Sequence, residues 1–159
     1  MKRYEEALDD FDRTIALDKT IFSRWRSDRG LLLSYCGRYA EAVEYCEQEL
    51  RENQDDRLIL YSLAVAKACW QGLTEAQAQI DKARTTLQSM GKMDVGDAVL
   101  YRLGGLAALE GKADQAFYYL QKVIELRRSP LETARHDPAW LNLRADPRFQ
   151  SLIPQPTKA

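Results

Sequence analysis

The sequence predicts an all-α chain, a right-handed α-solenoid of antiparallel helix pairs with a half repeat at the N-terminus and a short helical capping tail. Three observations predict it. First, one local phrase recurs: Tyr4-Glu-Glu-Ala7-Leu-Asp-Asp-Phe11, Gly37-Arg-Tyr-Ala-Glu-Ala42-Val-Glu-Tyr-Cys46, Gly72-Leu-Thr-Glu-Ala76-Gln-Ala-Gln-Ile80 and Gly111-Lys-Ala-Asp-Gln-Ala116-Phe-Tyr-Tyr-Leu120. The alanines are 35, 34 and 40 residues apart, and a period near 34 marks stacked helix pairs. Second, apolar residues recur at helical spacing between the glycines. Third, 159 residues with 45% hydrophobic side chains are enough for a continuous core. A stack of this kind presents an extended concave surface, which turns the functional question towards binding.

Taken in order, residues 2 to 17 place Tyr4, Ala7, Leu8, Phe11, Thr14 and Ile15 on one stripe, the second helix of a half repeat spanning 1–20. The first full repeat, about 23–54, pairs Ser23 to Cys36 with Tyr39 to Glu52, turned by Gly37. The second, 57–90, pairs Arg57 to Trp70 with Thr74 to about Met90, and Thr74 and Glu75 suit a helix start. The late arrival of the next alanine predicts a loop over Met90 to Gly96. The third repeat, 97–128, pairs Asp97 to Glu110 with Ala113 to Arg127, and Pro130 stops the pattern. These repeats fill residues 1–130, and 131–153 form the capping tail. In it, Asp137-Pro138 and Asp146-Pro147 each begin a short helical turn, aspartate accepting from the free amides and proline pre-set for the first position. Trp140, Leu143, Phe149, Leu152 and Ile153 cover the last repeat, and residues 154–159 are expected to fray.

Lys plus Arg number 23 against 24 for Asp plus Glu, so the net charge of −1 gives no electrostatic reason to bind nucleic acid or anionic lipid. No run approaches a membrane span and no secretory signal opens the chain, which leads to the expectation of a cytoplasmic protein. Cys36, Cys46 and Cys69 share no CxxC spacing and His136 is the single histidine. They are read as small buried hydrophobes, with no metal and no cofactor expected. Arg24-Trp-Arg26-Ser-Asp-Arg29 is read as a solvated face with Trp25 turned inward. His136-Asp137 lacks a nucleophile to complete a relay, and no phosphate-binding glycine loop is present, so no catalytic residue is assigned.

On these residues the chain resembles the tetratricopeptide repeat family. Gly30 and Ala42, Ala64 and Ala76, and Gly104 and Ala116 occupy its small-residue positions. Cys46, Ile80 and Leu120 stand where it places a large residue. Arg29 departs from the family's leucine, and Gln54 and Arg128 replace its closing proline. The tail is similar to the element that closes repeat arrays in many bacterial multidomain proteins, some with kinase, cyclase or winged-helix modules upstream. That likeness leaves open a regulatory C-terminal module of a larger signalling enzyme.

The resemblance implies that a partner segment lies in a groove lined by the first helix of each pair. Carried over, that groove comprises Arg24, Ser27, Asp28, Leu31, Ser34 and Tyr35, then Leu58, Tyr61, Ser62, Val65, Ala68 and Cys69, then Ala98, Tyr101, Arg102, Gly105, Ala108 and Leu109. The lysine and asparagine that clamp a terminal carboxylate in the family's chaperone-tail receptors are replaced by Ser27 and Leu31, although Arg102 matches a clamp position. The expected partner-binding set is Arg24, Asp28, Tyr35, Leu58, Tyr61, Val65, Tyr101 and Arg102, for a protein or peptide segment. The alternative for Tyr61 and Tyr101 is packing against the adjacent repeat helix. A different expectation is homo-oligomerisation through a stripe of Tyr4, Leu8, Phe11 and Ile15 on the unpaired first helix.

Overall fold

The computed structural model describes residues 2–17, 28–89, 96–127 and 132–154. Among these, every regular element is helical: α1 (Lys2–Leu17), the helical residues 28–35 (α2), α3 (Tyr39–Glu52), α4 (Arg57–Gln71), α5 (Leu73–Ser89), α6 (Asp97–Leu109), α7 (Ala113–Arg127), 3₁₀ turns Glu132–Arg135 and Pro138–Leu143, and α8 (Pro147–Leu152). Predicted and observed helix ends coincide or differ by one residue where both are described. The expected positions of Trp25, the Met90 loop and the Pro130 stop lie outside the described residues.

Each first helix passes to its second through a left-handed glycine. Gly37, Gly72 and Gly111 have φ of 77°, 94° and 73°, a region open to glycine and strained for residues with a Cβ. At two of them the chain closes identically. The amide of Arg38 donates to the Leu33 carbonyl and that of Gly37 to Ser34 (2.9 and 3.1 Å), and Lys112 and Gly111 donate likewise to Ala107 and Ala108 (2.9 and 3.1 Å). Both satisfy carbonyls that a helix end leaves open. At Gly72 only a bond to the Ala68 carbonyl (3.2 Å) closes the end, and ψ of 167° sends the chain out at a different angle.

Aspartates start α4, the turn Pro138–Leu143 and α8. Asp56 accepts from the amides of Leu58 and Ile59 (2.9 and 3.1 Å), Asp137 from Ala139 (2.9 Å) and Asp146 from Arg148 (2.8 Å). The two Asp-Pro turns therefore form as their sequence predicts.

The chain divides into two compact units, Met1–Thr86 and Leu87–Ala159. In the first, α3 packs on α4, and Leu8, Leu33, Cys36, Ala42, Val43, Cys46, Ile59, Leu63 and Ala66 form one apolar core. Gly30 makes close approach possible: a Cβ there would stand 2.7 Å from Cys46 Sγ and 3.2 Å from Ser62 Cβ. Arg29, the departure from the family's leucine, stays at the edge of this core. Its Nε and Nη2 donate to Asp12 of α1 (2.8 and 3.2 Å), and its guanidinium lies 4.9 Å from the Tyr45 ring centre on α3.

In the second unit α6 packs on α7, the turn Pro138–Leu143 packs on α6, and α8 packs on α7. Trp140 is fully buried, its ring against Gly104, where a Cβ would stand 3.1 Å from it and from Tyr119 Cβ. Phe149 lies 6.1 Å from Trp140, centre to centre. Arg148 of α8 reaches Asp114 of α7 (2.6 Å) and sits 4.4 Å over the Phe117 ring. The tail thus covers the last helix pair, using the side chains that its sequence singles out.

Candidate functional site

The predicted groove positions meet very different fates. Arg24 lies outside the described residues. Asp28 on α2 and Leu58 at the start of α4 are half buried. Tyr35 is half buried with its ring 5.2 Å from that of Tyr4, so part of its face is spent on α1. Arg102 is half buried and folds back along its own helix, Nη1 donating to the Ala98 carbonyl at 3.0 Å.

Tyr61 and Val65 are 1% and 0% exposed. This corrects their assignment as partner contacts, because a side chain without surface offers a partner nothing to touch. They lie within an unbroken buried run from Ile59 to Ala66 on α4. The matching run on α6 spans Leu103 to Leu109 and takes in Gly105, Ala108 and Leu109, which were expected to line the groove. The polar groove positions inside these helices turn inward as well: Ser34 Oγ donates to the Gly30 carbonyl (3.1 Å) and Ser62 Oγ to that of Leu58 (2.9 Å). The cause is composition. Leu58-Ile-Leu-Tyr-Ser-Leu-Ala-Val-Ala66 has no polar face, and a helix that is apolar all round is buried all round. That signal was present in the sequence, and the family position pattern hid it.

Tyr101 is claimed by the tail. Its hydroxyl donates to Asp137 Oδ2 at 2.7 Å, and its ring lies 5.9 Å from Trp140, tilted by 35°. Asp137 is wholly buried and uses both carboxylate oxygens, Oδ1 on the Ala139 amide and Oδ2 on Tyr101, while its carbonyl accepts from Arg144 Nη2 at 2.9 Å. Neither the groove nor packing against the adjacent repeat helix, the two expectations for Tyr101, named this partner in the tail. His136 is exposed, and its neighbour Asp137 works as a cap.

The proposed self-association stripe is largely used within the chain. Leu8 is 1% exposed in the core of the first unit, and Tyr4 packs against that core and on Tyr35. Phe11 is half buried, and the side chain of Ile15 lies outside the described residues. Leu8 therefore offers a second subunit no surface, and Tyr4 only part of its own.

The structure supplies a surface that the sequence reading did not single out. Trp70, at the last turn of α4, is 51% exposed, and Leu73, across the Gly72 turn, is 39% exposed. The groove positions Ala68 and Cys69 immediately before it are half buried. Lys67 is half buried too, so the run around Trp70 combines apolar area with one cation. Its only sequence signal was a tryptophan directly before a Gln-Gly turn, where no later helical turn can cover it.

Two of the three thiols, Cys36 and Cys46, behave as core residues. Burial pushes the Cys46 thiol up to about 12 and raises that of Cys36, which keeps both protonated at neutral pH. Cys69 is half buried. Among the described residues no group of three His, Cys, Asp or Glu side chains could hold a metal ion, and no helix is long and apolar enough to cross a membrane. No known family model matches the chain, and no curated protein sequence matches it either.

Proposed function

We propose that this chain is a tetratricopeptide-like α-solenoid that serves as a non-catalytic scaffold for protein binding. Support for the repeat comes from the recurring unit of helix, left-handed glycine and helix, with Ala42, Ala76 and Ala116 at 0% exposure in equivalent places. Small residues there let helices approach closely.

The observation that carries the binding reading is Trp70. A half-exposed tryptophan at the end of a helix that is buried from Ile59 to Ala66, with Leu73 across the turn and Ala68 and Cys69 behind it, has the make-up of an interface anchor. The partner is a protein segment with an apolar side chain to set against the indole. Leu58, half buried at the start of α4, is the predicted position nearest the other end of that helix.

The test compares proteins retained by the wild-type chain with those retained by Trp70→Ala and by Trp70→Ala/Leu73→Ala, using quantitative mass spectrometry. A specific partner should bind the single variant about 10 to 100 times more weakly, the range for a loss of roughly 1.5 to 3 kcal/mol at an aromatic anchor. Circular dichroism should be unchanged. Identical partner sets and affinities for all three chains would reject the Trp70 surface.

A further inference from the structure

Gly37, Gly72 and Gly111 turn three helix pairs with φ of the same sign, so residues at equal distance from each glycine hold equivalent places. Two residues before the glycine stand Tyr35, Trp70 and Leu109. Tyr35 packs on Tyr4 and Leu109 is 9% exposed, whereas Trp70 keeps half its surface in solvent. One turn in three is open.

At that same turn a cation and a leucine have changed places. Five residues before the glycine stand Leu32, Lys67 and Leu106, and one residue after it stand Arg38, Leu73 and Lys112. Leu32 packs against the core of the first unit and Leu106 is wholly buried, so half-buried Lys67 stands where the other two pairs place an apolar side chain. The cations also differ in what they meet. Arg38 pairs with Glu41 at 2.6 Å and Lys112 with Glu110 at 3.0 Å, whereas among the described residues the Lys67 ammonium has no ion-pair or hydrogen-bond partner. A leucine at this place would bury more apolar area and desolvate no charge. The exchange therefore does not serve the fold. What it creates, three residues apart on one helix face, is an uncompensated ammonium beside a half-exposed indole.

We propose that the Gly72 turn recognises an acidic and apolar segment of a partner protein, with an Asp or Glu side chain set against the Lys67 ammonium and a large apolar side chain beside it on Trp70 and Leu73. Charge decides the occupant. A segment with lysine or arginine at that place would meet like charge, and a wholly apolar one would bury the ammonium unpaired. Lys67 and Trp70 are separated by about 4.5 Å of helix rise, so the two partner groups are themselves neighbours, adjacent in sequence or one helical turn apart. This inference rests on the Trp70 surface proposed above and adds to it the sign of the partner's charge.

Random 12-residue peptides displayed on phage are selected on the immobilised chain, and the enriched sequences are synthesised with amidated C-termini, labelled, and titrated by fluorescence anisotropy. They should carry Asp or Glu beside Leu, Phe or Trp. Their affinity should fall about 10-fold or more in Lys67→Glu and less in Lys67→Gln, which loses the charge without reversing it, and changing the peptide's acidic residue to lysine should restore binding to Lys67→Glu. Circular dichroism checks that both variants keep the wild-type helical signal. Peptides that need Trp70 yet bind wild type and both Lys67 variants equally would overturn the acidic partner and leave the Trp70 surface standing, as would enrichment of basic or wholly apolar sequences that need Trp70. Peptides indifferent to Trp70→Ala, or a selection that enriches no binder, would overturn this inference and the Trp70 surface together.

Discussion

Helices α4 and α7 are both 15 residues long, yet they are used in opposite ways. On α4 the residues from Ile59 to Ala66 are buried without a break, whereas α7 buries one stripe of Ala116, Phe117, Leu120 and Val123 and leaves Tyr118 and Leu126 in solvent. The same contrast holds between α6 and α3, which buries Ala42, Val43 and Cys46 along a single side. First-type helices are the interior of their units and second-type helices are the skin. Exposed apolar surface on α4 is therefore found at the helix end, at Trp70.

The sharpest way to break this contrast is to truncate one tyrosine from each class. Tyr61→Ala should cost about 3 to 5 kcal/mol of stability, as removal of a buried aromatic does, while Tyr118→Ala should stay within about 0.5 kcal/mol of wild type. Urea denaturation of the two variants measures both, and comparable costs would dissolve the distinction between interior and skin. Gly104→Ala tests the close approach between the classes. The added methyl meets Tyr119 Cβ and the Trp140 ring at 3.1 Å, and Tyr119 Cβ can yield only if its helix moves. Overpacking should cost about 1 to 3 kcal/mol, offset in part by the roughly 1 kcal/mol that alanine gains over glycine in a helix. A stabilised Gly104→Ala chain would mean that the α6 and α7 backbones are not held together at this point.

Smaller effects sharpen the picture at the helix ends. Asp56→Ala removes the acceptor for two amides at the start of α4 and should cost about 1 kcal/mol, read from the same urea curves. In the tail, the hydrogen bonds from the Arg148 side chain and amide hold the Asp146 carboxyl below its ordinary value. A carboxyl depressed on folding stabilises above its unfolded value, and that contribution is lost as pH falls through the lower, folded value. The tail should therefore loosen on acidification below about pH 4, the ordinary aspartate range, and Asp146→Asn should flatten that part of the pH dependence. Intrinsic fluorescence against pH in a Trp25→Phe/Trp70→Phe background, which leaves Trp140 as the emitter, follows it. Among the thiols, Cys69 should react first with an alkylating reagent, while Cys36 and Cys46, buried and protonated, should react only as the first unit opens.

How much of this was legible in the sequence differs from element to element. The alanine phrase located α3, α5 and α7 to within a residue or two, because a helix start is written locally in a glycine, a polar first turn and apolar spacing. Asp137-Pro138 and Asp146-Pro147 were legible for the same reason, since a cap and the first turn it serves lie within three residues. Arg29 was read as a mismatch with a family pattern. Its reason sits on other helices, in Asp12 and Tyr45, which no local reading brings together.

The sequence by itself determined the helices, their turns and the small residues at which they meet, because those properties depend on neighbours within one or two turns. Only the tertiary structure decided which helix faces remain in water. Tyr61 vanished into the core, Tyr101 was bound by Asp137, Leu8 was covered while Ala7 was not, and Trp70 kept half its surface. Exposure is a property of what packs against a side chain from distant parts of the chain, and a helical repeat gives equivalent positions the same backbone without giving them the same cover.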